Sequence, residues 1–255
     1  MSTDASFIKI EQASYAYDDG VQAVSSVDWA IPAGSFHCLV GRSGCGKTTL
    51  LKLAAGLLTP TSGQIRIGGT VVDAPTQEVG FVFQTASLLE WLSVLENVLL
   101  PISLRRKVEP IDREAAMELL VLAGIAVHAD RYPRQLSGGQ QSRAALARAL
   151  VTNPPTLLMD EPFSALDAIT REELQEDLLR LTTLRESTVL FVTHDIAEAV
   201  YLGDHVAVME CGRISFTSPV ALVGRRDADM RYAPSFNARC QEIRGAMASP
   251  VGAAS

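Results

Sequence analysis

Cysteine pairs and long apolar runs are both missing from this sequence of 255 residues. The four cysteines form no C-x-x-C pair, which favours free thiols in a reducing cytoplasm. No apolar run approaches the roughly 18 residues that a membrane helix needs. The first residues, Met1–Ala5, lack the basic region and apolar stretch of a signal peptide, so we expect none.

Positive charge is in deficit as well. The chain has 22 lysines and arginines against 29 aspartates and glutamates, and its formal net charge is −7. Nucleic-acid binding needs a basic surface, so we expect no nucleic-acid partner. The length allows one large α/β domain or two small ones, and no internal repeat is visible.

The segment Gly41–Thr48 reads G-R-S-G-C-G-K-T and fits the phosphate-binding loop pattern G-x-x-x-x-G-K-[ST]. A buried strand is predicted before it and a helix after it, which is the arrangement that the motif requires. Glycines let the backbone approach a triphosphate, while N–H groups of the loop and helix point at the anion. We expect Lys47 to contact the β- and γ-phosphates and Thr48 to offer a hydroxyl to Mg²⁺. The candidate nucleotide-binding residues here are Gly41, Arg42, Ser43, Gly44, Cys45, Gly46, Lys47, Thr48 and Thr49.

Cys45 leaves two interpretations open. A thiol at a helix N-terminus can have a lowered pKa and so be reactive. The other interpretation, which we favour, is a small residue that fills a loop position, because a local field alone rarely makes a functional thiol.

A predicted buried strand at 156–159 runs directly into Asp160 and Glu161. A strand that ends in a carboxylate delivers it to the carboxyl edge of the sheet, where ligands bind in open α/β folds. We expect Asp160 to hold the Mg²⁺ shell. We expect Glu161 to lie beside the γ-phosphate and polarise the attacking water.

The signature segment, Leu136–Gln140, reads L-S-G-G-Q and opens another predicted helix. It offers a serine that can cap the helix, two glycines, and then apolar residues at helical spacing. This is a second anion-binding helix N-terminus. Because the chain has a single phosphate-binding loop, a second phosphate site suggests a nucleotide shared with another molecule.

Hydrophobic periodicity predicts the remaining elements. Strands are predicted near 7–17, 24–31, 35–40, 64–67, 78–83, 188–193, 204–209 and 213–216. Helices are predicted at 49–55, 94–104, 112–123, 139–151 and 168–184, and one more runs through Ala199. The mostly helical stretch from Thr85 to about Pro154 indicates a helical insert in an α/β core.

With these motifs the sequence resembles the ATP-binding cassette (ABC) ATPases over about residues 7–214. The signature segment matches that family's signature, although the basic stretch that usually follows it keeps only Arg143. The family's other motifs follow in order: Gln84 matches the Q-loop glutamine, 164–167 the D-loop, His194 the switch histidine and Tyr17 the aromatic that stacks on adenine.

The resemblance implies an α/β fold. It predicts a P-loop NTPase (RecA-like) core with an antiparallel β subdomain and an inserted α-helical signature subdomain. Residues 1–224 would form the ATPase domain, with the helical subdomain at about 85–154. Residues 225–255 would form a C-terminal tail, which we expect to be disordered from Ala246 onward.

The resemblance also implies a head-to-tail homodimer that sandwiches two ATP molecules with Mg²⁺. The γ-phosphate bound by Lys47 of one chain would be contacted by signature residues of the other, namely Ser137, Gly138, Gly139 and Gln140. His194 would hydrogen-bond that phosphate and keep Glu161 and the water aligned. Gln84 would join the Mg²⁺ shell and report its state to a membrane partner.

Looser patterns indicate which branch the sequence resembles. Residues 87–98 look like the L-L-P-W-x-x-V-x-x-N-V stretch of importers for nitrate, taurine and aliphatic sulfonates, with Glu90 in place of the proline. Residues 160–171 and 234–243 are similar to the same group, but importers of bicarbonate, cyanate, thiamine precursors and aromatic acids share these patterns. Trp91 fits equally a core position and the groove for a permease.

The implied function is ATP hydrolysis by the energising subunit of a bacterial importer of a small anionic solute. The implied location is the cytoplasmic face of the inner membrane. The implied partners are permease subunits and, indirectly, a periplasmic solute-binding protein. The alternative is a soluble ABC ATPase that acts on nucleic acid or the ribosome. It is disfavoured because no paired cassette, coiled-coil insert or basic patch is present.

Overall fold

The computed structural model describes residues 6–222, 226 and 228–248. The strands, in chain order, are β1 (Ser6–Ala16), β2 (Gln22–Pro32), β3 (Phe36–Val40), β4 (Ser62–Ile67), β5 (Thr70–Val71), β6 (Val79–Val82), β7 (Thr156–Asp160), β8 (Thr188–Thr193), β9 (His205–Glu210) and β10 (Arg213–Pro219). The helices are α1 (Lys47–Ala54), α2 (Val94–Ser103), α3 (Pro110–Leu122), α4 (Gly138–Leu150), α5 (Ala168–Leu184), α6 (Ile196–Leu202) and α7 (Pro234–Ala248). Short 3-10 helices lie at Ala126–His128, Pro133–Gln135 and Ala228–Tyr232.

The chain divides into two compact units. The first falls within Met1–Thr76 and Thr188–Ser255, and the second is Gln77–Ser187. No helix among the described residues is both long and apolar enough to cross a membrane.

The first unit contains an antiparallel sheet in the order β2-β1-β4-β5. Its apolar side chains alternate along β1 and β2, as expected for strands with one buried face. The unit also contains β3, which lies between β8 and β9 and is parallel to both, while β10 is antiparallel to β9. Every residue of β3 and β8 is buried, which explains why both strands are mostly apolar, with His37 the polar residue inside β3.

The second unit contains the parallel pair of β6 and β7 together with helices α2 to α5. Helix α2 packs against α3 and α4, and α4 packs against β6 and α5. Helix α2 begins at a capping box, in which Ser93 Oγ accepts from the backbone N–H of Glu96 and the Glu96 carboxylate accepts from that of Ser93.

The C-terminal segment differs in part from its prediction. Helix α7 continues to Ala248, so the expected disorder is wrong for residues 246–248. Ile243 and Phe236 are buried, and their contacts stabilise the helix against the rest of the first unit. Residues 249–255 lie outside the described residues.

Candidate functional site

The phosphate-binding loop joins β3 to α1 in the first unit. Its glycines are needed for two reasons: the backbone conformation and the lack of space for a side chain. Gly44 and Gly46 have φ angles of 80° and 107°, in the left-handed region that favours glycine. A Cβ on Gly46 would collide with the carbonyl oxygen of Ala23, and one on Gly41 would collide with that of Met209. At Gly41 and Gly46 the backbone of the loop therefore lies directly against neighbouring backbone, with no room for a side chain.

Lys47 places its charge inside this loop. Its Nζ donates to the carbonyl oxygens of Gly41 at 2.8 Å and Arg42 at 3.2 Å, and the residue is only 5% exposed. Gly46 supplies no side-chain cap to α1, whose first turn contains no acidic residue. A helix N-terminus of this kind attracts an anion, and an ammonium group beside it strengthens the attraction. Thr48 is exposed at the start of the helix.

Cys45 is not an activated thiol. Burial raises its pKa, and this effect outweighs the opposite influence of Lys47, whose Nζ lies 3.9 Å from Sγ. Desolvation of the thiolate thus disfavours the reactive-thiol interpretation. The favoured alternative, a small side chain that fills the loop, agrees with this environment.

Tyr17 lies just beyond β1 and forms a hydrogen bond with the first turn of α1, next to the phosphate-binding loop. Its hydroxyl lies 2.9 Å from Oγ1 of Thr49, the third residue of α1. Its ring meets Tyr15 edge to face, with centroids 5.1 Å apart and planes at 89°. The residue is 40% exposed, so part of the ring is accessible to a flat partner such as a base.

His194 lies at the same sheet edge as the phosphate-binding loop. It follows Thr193, which is paired in register with Val40, the last residue of β3. Because β3 and β8 are parallel, their carboxyl ends point the same way, and ligands bind at such edges. His194 is exposed, whereas Thr193 before it is buried.

In the second unit, Gln84 and Asp160 are brought to one strand edge. Val82 of β6 is opposite Met159 of β7, so Gln84, two residues after β6, and Asp160, the last residue of β7, both lie at the carboxyl ends of neighbouring parallel strands. Asp160 is 8% exposed, and Glu161 takes a φ of 44°, which turns the chain sharply after the strand. The turn is closed by Ser164, whose N–H and hydroxyl both donate to the Glu161 carbonyl oxygen.

The carboxylate and amide at this edge suit Mg²⁺. This ion is held in proteins by one or two carboxylates together with waters and substrate phosphates, not by an all-protein cage. Among the described residues no group of three or more histidine, cysteine, aspartate and glutamate side chains forms a metal cage. Asp160 offers a nearly buried carboxylate and Gln84 an exposed amide at the same strand edge, and both groups suit such a site.

The signature segment forms the N-terminus of α4. Ser137 Oγ accepts from the N–H of Gln140, and the Gln140 amide oxygen accepts from the N–H of Ser137 at 3.0 Å. The other end of that amide lies 2.9 Å from Nε2 of His128. Ser137 and Gly138 are exposed and Gly139 is buried, where a Cβ would lie 2.5 Å from Cγ2 of Thr170. The second glycine is thus required by the close approach of α5.

Three residues near the site escaped the sequence prediction. His128 orients the Gln140 amide, and the Thr170 side chain leaves no space for a Cβ at Gly139. Arg148 is largely buried and donates to the carbonyl oxygens of Ala86 and Ser87, just after Gln84, both at 2.8 Å. The pairing of Arg148 with backbone oxygens had no sequence signal, although an arginine in an apolar helix face is itself unusual.

Trp91 is 72% exposed, so the core interpretation is wrong. Its loop is ordered by the fully buried Asn97, which donates to the carbonyl oxygens of Leu89, Leu92 and Ser93 and accepts from the N–H of Leu89. Glu90, which replaces the proline of the pattern, forms an ion pair with Arg134.

A family model described as ABC transporter matches residues 24–164. The chain belongs to the ABC transporter family. The bicarbonate transport ATP-binding protein CmpD of Synechocystis is 40% identical over 81% of this chain and 75% of that protein. The aliphatic sulfonates import ATP-binding protein SsuB 2 of Agrobacterium fabrum is 45% identical over 82% of this chain and 78% of its own length.

A solved structure shows the same fold as this ABC protein. The ATP-binding cassette MJ0796, in a dimeric post-hydrolysis state bound to ADP and Pi, is 33% identical with a TM-score of 0.76, over 84% of this chain and 99% of its own. The predictions of an ABC family member, of an ATP-binding ATPase and of a P-loop NTPase fold are confirmed.

Proposed function

We propose that this chain is the ATP-hydrolysing subunit of a bacterial ABC importer, acting as a homodimer that closes on two ATP molecules and opens after hydrolysis. One observation supports the proposed dimer. Among the described residues, α1 and α4 both begin at glycine-bearing N-termini, and of these two α1 has a lysine, Lys47, beside it. A helix N-terminus attracts an anion, so the N-terminus of α4, which has no lysine beside it, suits a phosphate that a second chain already binds.

The roles of the residues follow the motifs that they occupy. In the phosphate-binding loop, the backbone and Lys47 bind the triphosphate, and Tyr17 stacks on the adenine. Thr48, Gln84 and Asp160 hold Mg²⁺, which neutralises charge on the β- and γ-phosphates when it is bound. The carboxylate of Glu161 accepts a proton from the attacking water.

His194 and the signature segment complete the proposed reaction. An imidazole donor beside the γ-phosphate stabilises the charge that develops there and keeps the water in line. In the partner chain Ser137, Gly138, Gly139 and Gln140 contact the same phosphate, through backbone N–H groups and the capping hydroxyl. Closing of the dimer is thereby coupled to bound ATP, and hydrolysis removes the group that both chains contact.

The proposed partners are two permease subunits at the cytoplasmic face of the inner membrane and, indirectly, a periplasmic solute-binding protein. The exposed Trp91 and the loop ordered by Asn97 suit the permease contact, because tryptophan is enriched at interfaces. We further propose that 1–224 form the ATPase domain and that α2 to α4 form its helical subdomain at about 85–154. Residues 225–255 form the tail.

The proposed solute is a small anion such as taurine, an aliphatic sulfonate or nitrate, in keeping with the sulfonate and bicarbonate relatives. A strain with the gene deleted would be grown on taurine or an alkanesulfonate as sole sulfur source and on nitrate as sole nitrogen source. Growth lost on one source alone assigns the solute class. Normal growth on all of them contradicts the proposed solute and leaves the ATPase untouched.

The hydrolytic mechanism is tested by Glu161→Gln. Removal of the base lowers turnover by about 100-fold or more, since general-base catalysis contributes that much. ATP binding persists, so the closed dimer accumulates in MgATP and is detected by light scattering. The matched control is Glu176→Gln, which removes an exposed carboxylate on α5 and leaves turnover unchanged. A Glu161→Gln variant that binds MgATP but stays monomeric contradicts the sandwich dimer.

A further inference from the structure

The C-terminal strap, which we define as Arg226 with residues 228–248, covers helix α6. Its helix α7 packs against α6 and β9, and the 3-10 helix before it also packs against α6. Phe236 and Ile243 are 4% and 0% exposed, so the strap buries its own apolar side chains in these contacts. Burial of two such side chains fixes α7 on α6 more firmly than surface polar contacts would.

The strap contacts the C-terminal end of α6 through two arginines. Arg226 donates to the carbonyl oxygens of Leu202 at 2.6 Å and Gly203 at 2.9 Å and to the carboxylate of Asp204 at 2.7 Å. The guanidinium of Arg231 lies 3.6 Å from the ring centroid of Tyr201, which is fully buried. Cations suit this helix end, where carbonyl oxygens carry partial negative charge.

The charge of Asp195, at the beginning of α6, acts on a residue of the strap. Burial raises the pKa of the Cys240 thiol on α7, and a smaller contribution comes from the negative charge of Asp195. Asp195 is the residue that caps α6, where its Oδ1 accepts from the N–H groups of Ala197 and Glu198.

The first turn of α6 is bonded to both neighbours of His194. Thr193, on one side, donates to the buried carboxylate of Glu198. Asp195, on the other side, donates its N–H to Oγ1 of Thr193 at 3.0 Å and caps the helix. A displacement of α6 would thus move the backbone on each side of His194.

We infer that the C-terminal strap is a positioning element for hydrolysis: by fixing α6 it sets the place of the His194 imidazole. The inference rests on the proposed role of His194 at the γ-phosphate. No residue of the strap contacts the nucleotide in this account. It acts on the turnover step through His194 and leaves ATP binding by the phosphate-binding loop unchanged.

The test compares Phe236→Ala, which loosens α7 on α6, with Tyr232→Ala, which changes an 81% exposed residue of the same strap. The chain has four histidines, so the imidazole Hε1 signals are few, and that of His194 is identified by its loss in His194→Ala. Phe236→Ala is expected to shift or broaden the His194 signal, and Tyr232→Ala is expected to leave it in place. Arg231→Ala serves as the second variant should Phe236→Ala fail to fold.

Steady-state kinetics give the second readout, measured well below the unfolding temperature of every variant. Phe236→Ala is expected to lower kcat about fivefold with KM within twofold, a size typical of residues that act through a coupled element. In the His194→Ala background the same change is expected to have no further effect on residual turnover, because both act through one group.

The inference is overturned if the His194 signal does not move in Phe236→Ala or in Arg231→Ala. It is also overturned if the reductions in kcat caused by Phe236→Ala and His194→Ala multiply in the double variant. Failure of the proposed function looks different. If Glu161→Gln and His194→Ala both hydrolyse ATP at the wild-type rate, the catalytic assignment is wrong, whatever the strap does to the imidazole signal.

Discussion

The N-termini of α1 and α4 follow a similar glycine-rich sequence but have different structures. Helix α1 begins at Gly46, in the left-handed region, without a side-chain cap. Helix α4 begins at Ser137 in an extended conformation, with a reciprocal capping box. Neither first turn contains an acidic residue. Both helix starts are therefore open to an anion.

The difference lies in what else each terminus offers. At α1 the ammonium of Lys47 lies among loop carbonyl oxygens, so the site supplies a full charge. At α4 the Gln140 side chain and the Ser137 hydroxyl already bond within the chain. The comparison teaches that α1 suits tight binding of a free nucleotide, whereas α4 suits recognition of a phosphate that is already fixed elsewhere.

The largest effect is expected from Lys47→Ala, which removes the charge that distinguishes α1. Loss of charge-assisted bonds to the phosphates should weaken MgATP binding by about 3 kcal/mol, or roughly 100-fold in Kd. Calorimetry with MgATP measures this change. Lys52→Ala, on the same helix, is the control and should bind normally. Unchanged affinity in Lys47→Ala would remove the basis for the difference between the two termini.

Gly139→Ala should damage α4 and leave α1 intact. The added Cβ meets Cγ2 of Thr170 at 2.5 Å, and overpacking of this kind costs about 1–3 kcal/mol. Because the clash displaces the first turn of α4 from the phosphate, turnover should fall, by about tenfold if the transition state loses about 1.4 kcal/mol, while MgATP affinity stays unchanged. ATPase assays and calorimetry separate the two effects.

The rescue variant for this clash is Gly139→Ala combined with Thr170→Ser. Serine lacks Cγ2 but keeps the hydroxyl that donates to Asp167 at 2.7 Å. Turnover should return most of the way to wild type. A double variant as slow as Gly139→Ala alone would mean that the clash with Thr170 is not the cause.

A smaller effect is expected from Ser137→Ala, which removes the side-chain cap of α4 and so makes its N-terminus more like that of α1. Loss of the cap should lower the free energy of unfolding by about 1 kcal/mol. A urea titration measures the change in midpoint. Ser142→Ala, within α4, is the matched control, and an equal loss there would show that capping is not responsible.

The smallest expected effect is at Cys45, beside α1. Because burial raises its pKa, the thiol stays protonated near neutral pH and should react slowly with iodoacetamide. Cys211 is exposed and serves as the reference thiol. Mass spectrometry of peptides after timed labelling at pH 7.5 gives both rates. Faster labelling of Cys45 than of Cys211 would show that the field of the helix outweighs burial.

The sequence predicted elements best where one periodicity and clear boundaries coincided. Helix α5 and strand β8 have the predicted bounds, Ala168–Leu184 and Thr188–Thr193. Asp167 explains the start of α5, since its side chain accepts from the N–H of Thr170. The buried run of β8 explains that strand, because a parallel strand covered on both faces contains no polar interruption.

Tertiary packing explains what the sequence could not predict. The exposure of Trp91 depends on Asn97, whose four bonds to the preceding loop are formed only after folding. The pKa of Cys45 depends on burial by neighbours distant in sequence, and the order of α7 up to Ala248 depends on contacts with α6 and β9. The site motifs were recognisable because their chemistry is local, whereas His128 and Thr170 act across helices.

The glycines of the phosphate-binding loop have one more consequence, which concerns tolerance to substitution. The atoms opposite Gly41 and Gly46 are carbonyl oxygens, those of Met209 and Ala23. Every amino acid has such an oxygen, so this contact does not depend on which side chain occupies position 23 or 209. A saturation library should therefore show sharp intolerance at both glycines but permit exchanges at Ala23. In each contact only the glycine is required to be a particular residue, because the opposite atom is a backbone oxygen.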